Sequence, residues 1–302
     1  MSDPTPVISV RPVVLPAPER GTDLHVRVSA PATGTDRLPV VVLSHGFGQS
    51  MDGYAPLADH WAASGFVVVQ PTHLDSRRLG LAPDDPRTPE IWRIRVDDLG
   101  RAIDHLDVLA AAVPGLAGRI DHDRVAVAGH SWGAQTAGTL LGARVLDADG
   151  VPGEDMADPR VGAGVLLAAA GLGGDTLAPF AAEHFPFMNP DFSTMAAPTL
   201  VVAGDDDHSQ LSSRGPDWWT DAYHLSPGRK SLLTLFGAHH SLGGVAGYGA
   251  AETTDESPER VALLQRLTTA YLRDALGVES ESWKREDAGL EGSALGRVES
   301  KG

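Results

Sequence analysis

The chain has 302 residues, and its 24 Lys and Arg stand against 40 Asp and Glu, a formal net charge of −16. With 42% hydrophobic and 21% charged residues the composition is globular, which excludes wholesale disorder and a coiled coil. The acidic balance disfavours nucleic acid or an anionic membrane as partner, since neither would gain by counterion release or surface attraction. There are no cysteines, which removes thiolate nucleophiles, CxxC redox motifs, iron–sulfur ligation and cysteine zinc sites together.

Residues 1–21 alternate prolines with polar residues and lack both a basic start and an apolar run of signal-peptide length. No stretch approaches the ~18 apolar residues of a membrane span. A soluble, cytoplasmic protein is the expectation. Next, 7–14 and 24–29 alternate like half-buried strands around a Glu19-Arg20-Gly21-Thr22 turn, an antiparallel lead-in. Six continuous apolar runs follow, at 39–43, 66–69, 124–128, 161–169, 199–203 and 231–236, the pattern of strands covered on both faces. Between them 89–113 and 258–276 carry helical periodicity, the second opening with proline. Strand and helix alternate, which predicts a three-layer α/β sandwich around a mainly parallel sheet. The segment 171–197 has no clean period and reads as a short cap or an irregular insertion. The domain is expected to span 1–276, and the polar tail 277–302 is expected to be disordered.

The most informative stretch is 124–141, where an apolar strand runs into Gly129-His130-Ser131-Trp132-Gly133 and then into a helix of small residues. Two glycines around a serine at a strand-to-helix turn leave room for a strained backbone that lifts the hydroxyl off the strand end. A serine nucleophile needs a base, an orienting acid and an oxyanion hole. Gly204-Asp205-Asp206-Asp207 closes one later strand and Gly237-Ala238-His239-His240 closes another, so the order along the chain is Ser, Asp, His. A metal site from Asp205, Asp206, Asp207 and His208 is disfavoured, because consecutive side chains do not converge on one ion.

The elbow, the GDDD and GAHH strand ends and the Ser44-His45-Gly46-Phe47-Gly48 turn resemble the α/β-hydrolase superfamily over roughly residues 5–276. The missing large cap and the 71–76 segment (PTHLDS) make the chain similar to the predicted dienelactone hydrolase, chlorophyllase and platelet-activating-factor acetylhydrolase type esterases. Dienelactone hydrolases use a cysteine nucleophile, so their activity does not carry over. The resemblance implies a three-layer α/β-hydrolase fold without a large cap domain. It also implies a serine esterase that cleaves carboxylic esters through an acyl-enzyme. In such hydrolases the acid falls three residues after the strand-ending glycine, which selects Asp207 before Asp205. The base follows a Gly-Ala-x-His pattern, which selects His240 before His239; neighbouring side chains at a strand end face opposite ways, so only one of the two reaches Ser131. The backbone N–H groups of Phe47 and Trp132 would form the oxyanion hole.

His73, with Asp75, follows a parallel strand and is expected to line the substrate pocket or a surface loop, and Tyr248 is expected at its rim. His45 reads as a structural turn residue. Trp218 and Trp219 read as core, and Asp97, Asp98, Asp104 and Asp107 as a solvated helix face. No GxGxxG, Walker A, HExxH or EF-hand loop is present, so no cofactor or metal is implied and the expected partner is a small-molecule ester. The rival readings are the same triad used as a perhydrolase, C–C hydrolase or hydroxynitrile lyase, and a non-catalytic binding protein on this fold.

Overall fold

The structure, a computed structural model, describes residues 5–82, 84–247 and 253–302. In chain order its elements are β1 (Val7–Leu15), β2 (Leu24–Pro31), β3 (Leu38–Ser44), α1 (Ala55–Ala63), β4 (Val67–Pro71), α2 (Ile91–Asp104), α3 (Leu106–Ala111), β5 (Ile120–His130), α4 (Trp132–Leu140), β6 (Arg144–Val145) and β7 (Val161–Leu167). There follow α5 (Pro179–His184), β8 (Pro190–Asp191), β9 (Thr199–Gly204), α6 (Asp221–Leu225), β10 (Lys230–Leu235), α7 (Pro258–Ala275), α8 (Ser282–Ala288) and β11 (Gly296–Lys301).

Among the described residues the main sheet has nine strands in the order β1-β2-β4-β3-β5-β7-β9-β10-β11. The six apolar runs are its parallel centre, β4 to β10, while β1, β2 and β11 pair antiparallel at the two edges. Burial on both faces explains the unbroken apolar character: every residue of β3, β9 and β10 is buried. Helices α1 and α7 pack together over one face, joined by the Trp61 indole N–H donating to Thr268 Oγ1 at 3.0 Å, while α2 and α4 pack together on the other. This is the three-layer α/β-hydrolase architecture. No helix among the described residues is long and apolar enough to cross a membrane.

The sheet order reverses at β3, which lies between β4 and β5. In an open parallel sheet such a switch leaves a crevice beyond the strand C-termini, where no helix crosses. Ser44 and Gly129 are register partners at that end, so the turn after β3 and the turn after β5 open side by side.

Two segments depart from expectation, and a third resolves between two. The 89–113 helix divides into α2 and α3, because His105 leaves helical geometry and its ring Nδ1–H donates back to the Arg101 carbonyl at 2.9 Å, capping α2. The 277–302 tail is ordered, not disordered. It forms α8, whose Trp283 packs edge-on against Tyr271 of α7 at 5.2 Å, and β11, which pairs with β10 from Lys230–Lys301 to Leu235–Gly296. An edge strand buries one face only, so Val298 packs on the core while Arg297 and Glu299 face outward; polar alternation there looks like a solvated tail. Of the two expectations for 171–197, the irregular insertion is the one observed: it holds α5 and β8, which pairs with β6 outside the segment.

Candidate active site

Ser131 sits between β5 and α4 with φ 57° and ψ −124°, a conformation that costs a non-glycine residue of order 1–3 kcal/mol. Close packing dictates the glycines around it. A Cβ at Gly129 would lie 2.0 Å from the Gly133 carbonyl oxygen, and one at Gly133 2.2 Å from that of Ser44. The elbow is pinned by the Ser131 amide donating to Leu167 O at 2.9 Å.

Two more strand ends deliver their side chains to the same place. A Cβ at Gly204 would meet the Ala238 carbonyl oxygen at 2.1 Å, so the loops after β9 and β10 touch through a residue that must be small. Across that contact His240 Nδ1 and Asp207 Oδ2 lie 2.9 Å apart, and His240 Nε2 lies 2.9 Å from Ser131 Oγ. Asp207 is buried, its carbonyl accepts the Trp219 indole N–H at 2.8 Å, and the Trp219 ring packs 4.8 Å from that of His240. The carboxylate accepts, so Nδ1 carries the proton and the bare Nε2 accepts the serine hydroxyl. Neighbouring candidates are occupied elsewhere. Asp205 Oδ1 accepts the Gly237 N–H at 2.6 Å, and the His239 ring bonds Thr254 Oγ1 at 2.8 Å. Asp206 lies between His208 and His239, at 3.4 and 3.3 Å. Among the described residues no group of three or more His, Asp or Glu is arranged to hold a metal ion.

The turn after β3 is held by buried charge. Arg95, fully buried on α2, donates to Asp75 Oδ1 at 2.6 Å, to Thr136 Oγ1 at 3.1 Å and to the His45 carbonyl, and its guanidinium lies 4.7 Å above the Trp132 ring. The other Asp75 oxygen accepts the Gly48 N–H at 2.9 Å. His45 donates from Nδ1 to the Gly46 carbonyl at 2.7 Å and accepts the His73 N–H on Nε2 at 3.0 Å. The Gly46 carbonyl shares a peptide plane with the Phe47 N–H, so fixing one aims the other. Burial would raise the Asp75 carboxyl, yet Arg95, His45 and the Gly48 amide together hold it below its ordinary value.

His73 does not line the pocket. It is fully buried beneath the turn, bonding Ser44 Oγ through Nε2 and Asp98 Oδ2 through Nδ1, both at 2.9 Å. Asp98 is likewise not on a solvated face: it is buried against His73 and Arg20, while Asp104 is exposed as expected. Trp218 and Trp219 are core residues. Tyr248 lies outside the described residues. Sequence reasoning passes over Arg95 and Tyr54, although Ile91, Arg95, Leu99 and Ala102 share one helix face, which puts a charge on the stripe that faces the core.

An open cleft of about 750 Å³ lies over Ser131 and His240, with Phe47, Gln49, Asp206, His208 and His239 on its walls. Phe47 joins the cleft to an aromatic cluster: it lies 5.7 Å from Trp132 and 6.4 Å from Phe185, and Trp132 stacks on Phe187 at 5.1 Å. The irregular 171–197 segment thus supplies two rings, Phe185 and Phe187, to the cluster around Phe47 and Trp132.

Buried neutral imidazoles make the site acid-sensitive. Burial, then Arg95, push His45 down to about 4, and burial, then His240, push His130 down to about 3. Both return to about 6.5 when the chain unfolds, so the folded form binds fewer protons in between. Their stabilisation is complete above about pH 6.5 and is lost progressively as pH falls, to about 4 for His45 and about 3 for His130. Urea titrations at pH 7 and pH 4 should therefore show His130→Gln losing about 3 kcal/mol less than wild type over that interval. Equal losses would contradict this account of His130.

Residues 21–79 match the family model described as platelet-activating factor acetylhydrolase, isoform II. That stretch runs from β2 through β4 and contains the Ser44–Gly48 turn and the His73–Asp75 segment. No curated protein matches the chain. The match, over about a fifth of the chain, supports the esterase group that the motifs resemble, and the mainly parallel sheet with its switch point has the α/β-hydrolase fold.

Proposed function

We propose that the protein is a serine hydrolase of carboxylic esters, with Ser131 as nucleophile, His240 as base and Asp207 as the acid that orients it. What supports this reading above all is the unbroken hydrogen-bonded line from Ser131 Oγ through His240 to Asp207. His240 Nε2 takes the hydroxyl proton as Oγ attacks the ester carbonyl, and Asp207 stabilises the imidazolium that forms. The oxyanion is received by the amides of Phe47 and Trp132, neither of which is engaged in a turn, loop or cap hydrogen bond among the described residues. His240 then protonates the departing alkoxide, and water, activated by the same imidazole, cleaves the acyl-enzyme to acid and free Ser131.

Proton delivery also orients the substrate. The leaving oxygen must sit beside His240, so the alcohol occupies the polar cleft with Asp206, His208 and His239, and the acyl group turns toward Phe47, Trp132 and Phe187. The test is a panel of aryl esters of increasing acyl length alongside the matching anilides. Turnover of the esters through an acylated Ser131 is expected, with the anilides slower because amines leave less readily. A folded protein inert toward every ester would refute the assignment.

A further inference from the structure

The three reacting parts of the site ride on separate loops: the 44–48 turn, the elbow at Ser131, and the 237–247 loop that carries His240. One line of hydrogen bonds runs through all three. The Gly46 N–H donates to the Tyr54 oxygen at 3.0 Å, Tyr54 and His130 Nδ1 lie 2.9 Å apart, and His130 Nε2 lies 2.7 Å from the His240 carbonyl oxygen. A carbonyl only accepts, so Nε2 carries the proton. Nδ1 is then bare, and the Tyr54 hydroxyl must donate to it while accepting the Gly46 amide.

We infer that His130, the residue before the nucleophile, is a positioning residue that works with Tyr54 to hold the His240 loop in register with the oxyanion turn. The inference rests on the hydrolase reading and extends it. Tyr54 and His130 are both buried, 1% and 6% exposed, so each lost bond would leave a polar group without water. They grip the loop at two places, because the Tyr54 amide also donates to the Ala246 carbonyl at 3.0 Å while His130 holds the carbonyl of His240 itself. Elsewhere the loop is tied at Gly237 by Asp205, at Ala238 by the Asp206 amide, and at His239 and Gly243 by Asp255, whereas the backbone carbonyl of His240 accepts from His130 Nε2. The rings of His130 and His240 lie 4.9 Å apart, so displacement of one moves the other. Burial keeps His130 neutral, with the direction of the line unchanged through the ordinary working range of pH.

A glutamine amide can accept from Tyr54 and donate to His240 in the same orientation, whereas leucine can do neither. The experiment measures kcat and KM on an aryl ester for wild type, His130→Leu, His130→Gln and Tyr54→Phe, with thermal unfolding as the control for folding. His130→Leu should lower kcat ~10²-fold, the effect of a base displaced by an ångström, with KM within about twofold. Tyr54→Phe should cost ~10-fold in kcat, and His130→Gln should return to within about fivefold of wild type. Wild-type kcat in both His130→Leu and Tyr54→Phe, or no rescue by glutamine, would overturn the inference. If the leucine variant does not fold, a glutamine variant no faster than Tyr54→Phe does the same. A second arm does not depend on turnover. Nitrogen-15 shifts of the His130 ring should report the Nε2–H tautomer, and the Nδ1–H tautomer would overturn the line. A wild type with the Nε2–H tautomer but no ester hydrolysis would sink the hydrolase reading instead.

Discussion

Replacing Ser131 with alanine is expected to lower kcat/KM on aryl esters by at least ~10³-fold, with the fold unchanged. The size follows from what is removed. In the proposed mechanism the hydroxyl oxygen forms the acyl bond, while the alanine variant keeps the Phe47 and Trp132 amides, the cleft and the His240–Asp207 pair. Substrate should therefore still bind, and the loss should appear in kcat rather than KM. The strained backbone at φ 57° suits alanine no worse than serine, so thermal unfolding should change little. Steady-state kinetics on purified protein decides the matter, and a loss below about tenfold would rule out Ser131 as nucleophile.

The second large effect separates neighbours that differ by one or two positions in the chain. Asp207→Asn should cost ~10⁴-fold in kcat, because an amide donating to His240 Nδ1 favours the tautomer with its proton on Nε2, which can no longer accept from Ser131. His240→Ala should lose at least ~10³-fold. By contrast Asp205→Asn retains an oxygen for the Gly237 amide, and His239→Ala removes a cleft-wall ring that bonds Thr254, so both should keep kcat within about fivefold of wild type, with any effect of His239 falling on KM. If Asp205→Asn matched the loss at Asp207, the acid would have to be reassigned despite the distances.

The parallel core was legible because burial on both faces leaves no room for polar alternation, and the six apolar runs mark the six parallel strands of the centre. The elbow and the paired strand ends were legible for a related reason. Gly129, Gly133 and Gly204 face carbonyl oxygens at distances that exclude any Cβ, so the chemistry of the site is written in backbone requirements. Buried charge was not legible. Arg95, Asp75, His73 and Asp98 satisfy one another under the 44–48 turn, and single-residue polarity gives the same signal for a paired buried carboxylate as for a solvated one. The same ambiguity hides β11, whose outward face is polar although its inward face packs on the core. The break at His105 depends on one side chain capping a carbonyl, which periodicity does not register.

The most direct measurement is covalent capture by a fluorophosphonate followed by peptide mass spectrometry, since that reagent needs an activated alcohol beside an imidazole. The adduct is expected on Ser131 in the wild type, absent in Ser131→Ala and strongly slowed in His240→Ala. An unmodified Ser131 in folded protein, or an adduct on another residue, would contradict the central claim that the bond from His240 makes this hydroxyl a nucleophile.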